Sequence, residues 1–217
     1  MIYPDYKHIG EMMSGNNISV VVFDLGNVLI PFDYTPLIEG LNKVEKGLGE
    51  KFFEFYKLNY EYHRNFERGD LDEGLFLEIM LNSVKNKVDK TTFCKLYSEI
   101  FKVNEDVAAL IPKLKKRYTV CLLSNTNSIH REYGYKQYEF LNYFDKLFLS
   151  YEINAIKPEE KIYRIVENYT QRPSGEHIFI DDVLEYVEGA KKAGWNAIQF
   201  LGYDNLIEEL KKREIKF

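Results

Sequence analysis

Cysteine is scarce in this chain. Two occur in 217 residues, Cys94 and Cys121, far apart and with Cys121 inside an apolar run. That excludes a disulfide-stapled scaffold and predicts a buried free thiol in a reducing compartment. Long apolar runs are missing too: no stretch approaches the ~20 residues that span a bilayer. The first 17 residues, ending Ser14-Gly15-Asn16-Asn17, lack the apolar h-region of a secretory signal. No block of one charge stands out. Lys and Arg number 29 against 34 Asp and Glu, a net charge of −5, which disfavours nucleic acid and anionic membranes as partners. The densest basic stretch, Lys113-Leu114-Lys115-Lys116-Arg117, reads as the solvated end of a predicted helix, where cations oppose the dipole favourably. No second histidine or cysteine stands at metal spacing from His63 or His130, so both read as surface or packing residues. The expectation is a soluble, cytoplasmic protein whose oligomeric state the sequence does not set.

What is present is enough apolar material for a sizeable core, 45% of residues. It falls into short β-branched runs: Ile18 to Phe23, Thr119 to Leu123, Lys146 to Leu149, His177 to Ile180 and Asn196 to Phe200. Polar or turn residues bound each of them, as expected of buried parallel strands. Helical periodicity lies between the later runs. Glu105 to Lys116 is apolar at Val107, Leu110, Ile111 and Leu114; Glu159 to Tyr169 is apolar at Ile162, Ile165 and Val166; Leu184 to Ala193 is closed by Gly194. Alternating strand and helix predict an α/β, Rossmann-like, doubly wound parallel sheet. From about Asp33 to Asn104 no strand is predicted. That stretch holds aromatic-rich helical segments and is too long, at about 70 residues, for an ordinary connection. The predicted organisation is an N-terminal extension over 1–17, an α/β core over 18–33 and 105–217, and a small helical domain over 34–104 placed as a cap.

Polar residues stand at the ends of four apolar runs: Asp24, Ser124-Asn125, Lys157-Pro158 and Asp181-Asp182. In an open parallel sheet the carboxyl ends of the strands converge on one crevice, where ligands bind. A carboxylate, a hydroxyl, a lysine and two more carboxylates brought together suggest a Mg²⁺-assisted phosphoryl-transfer site. Each residue also has a structural reading. Asp24 and Asp181-Asp182 suit helix caps, Ser124-Asn125 a turn, and Lys157 a surface loop with Pro158 opening a helix.

Taken in order, these residues resemble the motifs of the haloacid dehalogenase-like (HAD) hydrolases. Phe23-Asp24-Leu25-Gly26-Asn27-Val28 is similar to the first motif, Ser124-Asn125-Thr126-Asn127 to the second, Ile156-Lys157-Pro158 to the third and Asp181-Asp182 to the fourth. The helical insertion falls where the family's C1-type cap falls. Asp-Leu-Gly-Asn-Val, with Glu67-Arg68-Gly69 in the insertion, looks most like the branch containing α-D-glucose-1-phosphate phosphatase. The resemblance implies a phosphatase in which Asp24 attacks phosphorus and forms an aspartyl-phosphate. It implies Mg²⁺ held by Asp24, the Gly26 carbonyl and Asp182. Ser124, a backbone N–H near Asn125, and Lys157 would hold the phosphoryl oxygens. The implied substrate is a small phosphorylated metabolite of the sugar-phosphate kind.

Three departures matter. Gly26 stands where most family phosphatases carry an acid/base aspartate, a function worth about 10²–10⁴-fold. Val183 and Tyr186 replace polar residues of the fourth motif, with Glu185 as a substitute for the missing metal contact. His63, Glu67 and Asp70 are the cap residues that could supply a proton. A low-activity or inactive protein that binds a phosphorylated ligand or a protein partner is the alternative. A 2-haloacid dehalogenase, which needs no Mg²⁺, and a phosphomutase fit the residues less well.

Overall fold

Val20 to Phe23, four consecutive side chains with no exposed surface, form β1 at the centre of the sheet. The computed structural model describes residues 17–217. The expected N-terminal extension and the reading of its signal character therefore lie outside the described residues, Asn17 apart. β2 (Thr119–Ser124), β3 (Lys146–Leu149), β4 (His177–Asp181) and β5 (Asn196–Gln199) join β1 in one parallel sheet of order β3-β2-β1-β4-β5. β1 pairs with β2 on one side and β4 on the other. The chain thus winds outward in both directions from β1, which puts the topological switch point between β1 and β4.

The period-2 alternation of strand side chains builds the layers. Val21, Phe23, Leu122 and Ile180 enter one core with the segment around Val107 to Leu114 and the C-terminal helix. Val20, Val22, Cys121, Leu123 and Phe179 enter another on the opposite face. Cys94 and Cys121 are both free and buried, as the thiol pattern predicts.

The connection from β1 to β2 opens with the helices of the insertion: α1 (Thr35–Val44), α2 (Leu48–Leu58), α3 (Tyr60–Arg68), α4 (Glu73–Ser83) and α5 (Lys90–Ser98). Asp72 and Asp89 cap α4 and α5, each accepting a backbone N–H three residues on, at 3.0 Å. These helices share an aromatic-rich core of their own, with Phe52, Phe76, Phe93 and Tyr97 fully buried. Beyond them come α6 (Glu105–Ala108), α7 (Ile111–Leu114), α8 (Ser128–His130), α9 (Ser150–Ile153), α10 (Glu160–Thr170), α11 (Leu184–Lys192) and α12 (Tyr203–Lys212).

The single helix expected over 105–116 is a correction: it is two short ones. Pro112 has no N–H to give to Ala108, and the chain tightens there, with Leu110 N–H bonded to the Val107 carbonyl at 3.0 Å. No helix among the described residues is long and apolar enough to cross a membrane.

α3 docks the helical unit against the α/β layers. It ends at Gly69, whose φ of +84° favours glycine. A Cβ there would stand 2.6 Å from the Asn154 side chain and 2.8 Å from the Tyr151 carbonyl. Arg68 pairs with Glu159 beside it. Gly69→Ala combines backbone strain with a clash and should lower Tm by several degrees, since each 1 kcal/mol moves Tm about 2–4 °C at this size. Thermal unfolding by circular dichroism reads it directly.

Candidate active site

Asp24 is the first residue past β1, and its N–H bonds to the Ile180 carbonyl of β4 at 2.9 Å. Its carboxylate therefore sits at the switch point. The chain then turns sharply, with Val28 N–H on the Gly26 carbonyl at 2.7 Å. Asn27 takes a left-handed φ of 53° in that turn. This aims Asn27 Nδ2 at Asp182 Oδ2, 3.1 Å away.

Lys157 lies in the loop after α9, past the end of β3 and not on it, yet it is only 1% exposed. Asn125 fixes it there: Asn125 Oδ1 accepts the Lys157 N–H at 2.8 Å, and Asn125 Nδ2 donates to the Lys157 carbonyl at 3.2 Å. The Lys157 ammonium donates to Asp24 Oδ1 and to Asp181 Oδ2, each at 2.6 Å. Burial alone would lower the lysine's pKa, but the charges of Asp181 and Asp24 outweigh that and hold it raised. Burial pushes Asp24 the other way, up to about 8; Lys157 pulls against the rise while Asp181 and Asp182 add to it. Burial is thus the main cause of the Asp24 rise, and the two contacting carboxylates are the cause of the Lys157 rise.

The two neighbouring aspartates have different surroundings. Both oxygens of Asp181 are engaged, one by Lys157 and the other by the Val183 N–H at 2.8 Å. Asp182 is half-buried and, among the described residues, meets only the Asn27 amide of the side chains. Asp24, Asp181 and Asp182 each offer an oxygen within 4.8 Å of the others. A compact set of hard anionic oxygens fits a small divalent cation that prefers oxygen ligands. Ser124 closes the β2 end of this site and is 2% exposed. All six residues singled out from sequence, Asp24, Gly26, Ser124, Asn125, Lys157 and Asp182, line one cleft of ≈190 Å³.

The opposite wall comes from α3, through Tyr60, His63, Arg64 and Glu67. Of the two readings open for His63 and His130, surface or packing, the structure takes the second: they are 4% and 5% exposed, packed against aromatic rings, and both line the cleft. Their helices turn them inward, His63 sharing one face of α3 with Phe66 and Glu67 at i+3 and i+4. Burial, with His63 adding, holds His130 well below the usual imidazole range. Glu185 is exposed and absent from the cleft wall, so it is no substitute contact for a metal. Tyr186 lines the cleft instead, its hydroxyl accepting from Arg64 Nη1 at 3.1 Å. The i, i+4 pair His63 and Glu67 was the sequence signal for the inward face of α3, but charged residues at that spacing ordinarily mark a solvated face.

The arrangement of these motifs along the chain coincides with one family pattern: haloacid dehalogenase-like hydrolase, matched over residues 18–194. The chain belongs to the haloacid dehalogenase-like hydrolases. Among relatives of the HAD-like fold, D-ribitol-5-phosphate phosphatase of Bacteroides thetaiotaomicron is 25% identical over 199 residues, covering 84% of this chain and 91% of that protein. A HAD family enzyme of the same organism, solved with magnesium and inorganic phosphate, superposes with a TM-score of 0.69 at 25% identity, covering 84% and 93% of the two chains. A predicted HAD-like hydrolase of Porphyromonas gingivalis shares the fold at a TM-score of 0.73 and 21% identity, covering 93% and 100%. Against that HAD background Gly26 remains the main departure of this chain. A Cβ built on it would lie 3.5 Å from the Phe32 ring, so the space an acidic side chain would need is already bordered by an aromatic.

Proposed function

We propose that this chain is a Mg²⁺-dependent phosphatase of small phosphate monoesters, of the polyol- or sugar-phosphate kind, acting through an aspartyl-phosphate on Asp24. The observation that carries the reading is the buried contact of Lys157 with Asp24 and Asp181 at the switch point, beside a less committed Asp182. A nucleophilic carboxylate must be aimed and favoured in its anionic form, and the Lys157 contact contributes to both. When a phosphoryl group enters, the same ammonium offers a cation to its oxygens, with Ser124 and the backbone at Asn125 as further donors. Asp24, the Gly26 carbonyl and Asp182 would hold the metal, because Asp181 already spends both oxygens on Lys157 and Val183. Bound there, Mg²⁺ supplies charge neutralisation for the phosphoryl oxygens.

The helical unit over 34–104 serves in this reading as a cap. Its α3 face presents both donors and acceptors, Arg64 with Tyr60 and Glu67, which suits a hydroxyl-bearing carbon chain. A cleft of ≈190 Å³ suits a small ester better than a protein segment. Support also comes from the phosphatase relative and the magnesium- and phosphate-bound neighbour. The second reading, a binder without turnover, rests on Gly26 and Tyr186, which stand where the resemblance expects polar side chains. Phosphate release from a panel of polyol and sugar phosphates and p-nitrophenyl phosphate, with Mg²⁺ and abolished by EDTA, separates the two; no release from any ester favours the binder.

Metal binding is testable without turnover. A ligand at a hundred times its Kd stabilises the native state by about 2.7 kcal/mol, about 5–10 °C in Tm at this size. Mg²⁺ should give a rise of that order, and Asp182→Ala should remove most of it. A full Mg²⁺ response in Asp182→Ala would place the metal elsewhere.

A further inference from the structure

The departing oxygen of a phosphate ester needs a proton, and Gly26 has no side chain to give one. Among the described residues, the titratable groups of the cleft can be sorted by what they already do. Asp24, Lys157 and Asp182 are engaged in the site above. His130 is buried, stacks on Tyr97 at 4.3 Å between ring centroids, and is disfavoured as a cation. Tyr186 accepts from Arg64, and Tyr135 shares a hydrogen bond with Thr126 at 3.0 Å. Tyr34 and Tyr60 are pushed above the ordinary phenol range by burial. Asp70 is exposed, faces Arg68 and lies outside the cleft. The pair on α3 remains. His63 has both ring nitrogens occupied, Nδ1 by the Tyr97 hydroxyl at 2.7 Å and Nε2 by Glu67 Oε1 at 3.1 Å. Glu67 is only 8% exposed, yet among the described residues its second oxygen meets no donor.

Two independent facts therefore meet at Glu67. It is a nearly buried carboxyl with one free oxygen on the wall of the cleft, and it is held from behind by a histidine that is itself fixed. The groups facing the pair are Tyr60 and Arg64 from α3, Tyr56 from α2, Tyr97 from α5, His130 from α8 and Tyr34 just before α1. Of these only Arg64 carries a permanent charge.

We propose that Glu67 is the acid/base group of this hydrolase, working from the cap side of the cleft, and that His63 is its positioning residue. The proposal rests on the phosphatase reading. In the first half-reaction an Asp24 oxygen bonds to phosphorus, the bond from phosphorus to the leaving oxygen breaks, and that oxygen takes the Glu67 proton. In the second, water bonds to phosphorus and gives a proton to Glu67 while the bond to Asp24 breaks. One ester and one water become one alcohol and one hydrogen phosphate, and Glu67 regains the proton it gave.

The test is kcat/KM for two esters, an alkyl phosphate with a poor leaving group and p-nitrophenyl phosphate with a good one, in wild type and Glu67→Gln. An acid matters only where the leaving group needs it, so the alkyl ester should lose about 10²–10³-fold while p-nitrophenyl phosphate in the acylating step stays within about threefold. His63→Ala should show the same selectivity with a smaller loss, about tenfold. Equal losses on both esters, or none, overturn the proposal. If Glu67→Gln fails to fold, by its melting curve, Glu67→Asp takes its place: it keeps the charge, withdraws the oxygen, and should again spare p-nitrophenyl phosphate selectively. A wild type that hydrolyses neither ester with Mg²⁺ overturns the phosphatase reading and this proposal together, whereas an active wild type with an unselective Glu67→Gln removes only the role of Glu67.

Discussion

Asp24→Asn should abolish phosphate release and at the same time raise the melting temperature of the metal-free protein. The first effect follows because an amide is too poor a nucleophile to form the acyl-phosphate; residual release within about tenfold of wild type would remove Asp24 from its role, set against the far larger loss expected on deleting a covalent nucleophile. The second effect follows from charge. Asp24 has its pKa raised from 3.8 to about 8, by burial first and by Asp181 and Asp182 in addition. Between those two values the folded state holds more protons than the unfolded chain, so stability falls as pH rises from about 4 to about 8. Asparagine carries no charge to bury and leaves the Lys157–Asp181 pair intact. A gain of a few degrees at pH 7 is expected, given about 2–4 °C per kcal/mol, shrinking toward pH 4. Melting curves in EDTA across that range decide it; a lower Tm for Asp24→Asn at pH 7 would show that its contact with Lys157 outweighs the desolvation.

Lys157→Ala has the opposite sign on stability. It leaves Asp24 and Asp181 buried without their shared cation, and breaking a buried pair by removing one partner costs about 3–5 kcal/mol. At about 2–4 °C per kcal/mol, Tm should fall by roughly 10 °C at neutral pH. The loss should be smaller at pH 5, where the stranded carboxyls can take up protons. Phosphate release should fall with it, since the same ammonium would neutralise the phosphoryl oxygens. Lys157→Arg should not rescue either effect, because a larger planar guanidinium must enter a site whose side chain is 1% exposed. A Tm unchanged by Lys157→Ala would contradict the buried contact itself.

The sheet was legible because parallel strands buried on both faces must be short continuous apolar runs, and Val20 to Phe23 is one. Strand ends were readable to within one or two residues: the expected runs start at Ile18 and end at Phe200, while the ladder spans Val20 to Gln199. The helix over 105–116 misled because apolar spacing survives a break: Val107, Leu110, Ile111 and Leu114 stay on one face, although Pro112 ends the hydrogen-bond ladder between them. Spacing alone did not place His63 and Glu67 against the site, because polar residues on an amphipathic helix ordinarily face water. Only the packing of Tyr56, Tyr97 and His130 around them makes that face an interior one.

By itself the sequence determined the layer architecture, the place of the helical insertion and the set of strand-end polar residues, all of which follow from local periodicity and from motifs a few residues long. Tertiary structure alone decided how those residues divide their work. Lys157 meets Asp24 across 133 positions and Asp181 across 24, and no local pattern encodes a pairing at such separations. That pairing commits Asp181 to the lysine and leaves Asp182 to the cleft, a distinction between adjacent identical residues that depends on which way each carboxylate points once β4 has ended. Tertiary packing likewise singles out Glu67, one of 34 acidic residues in the chain, by holding one of its oxygens on His63 and placing the residue in the cleft wall.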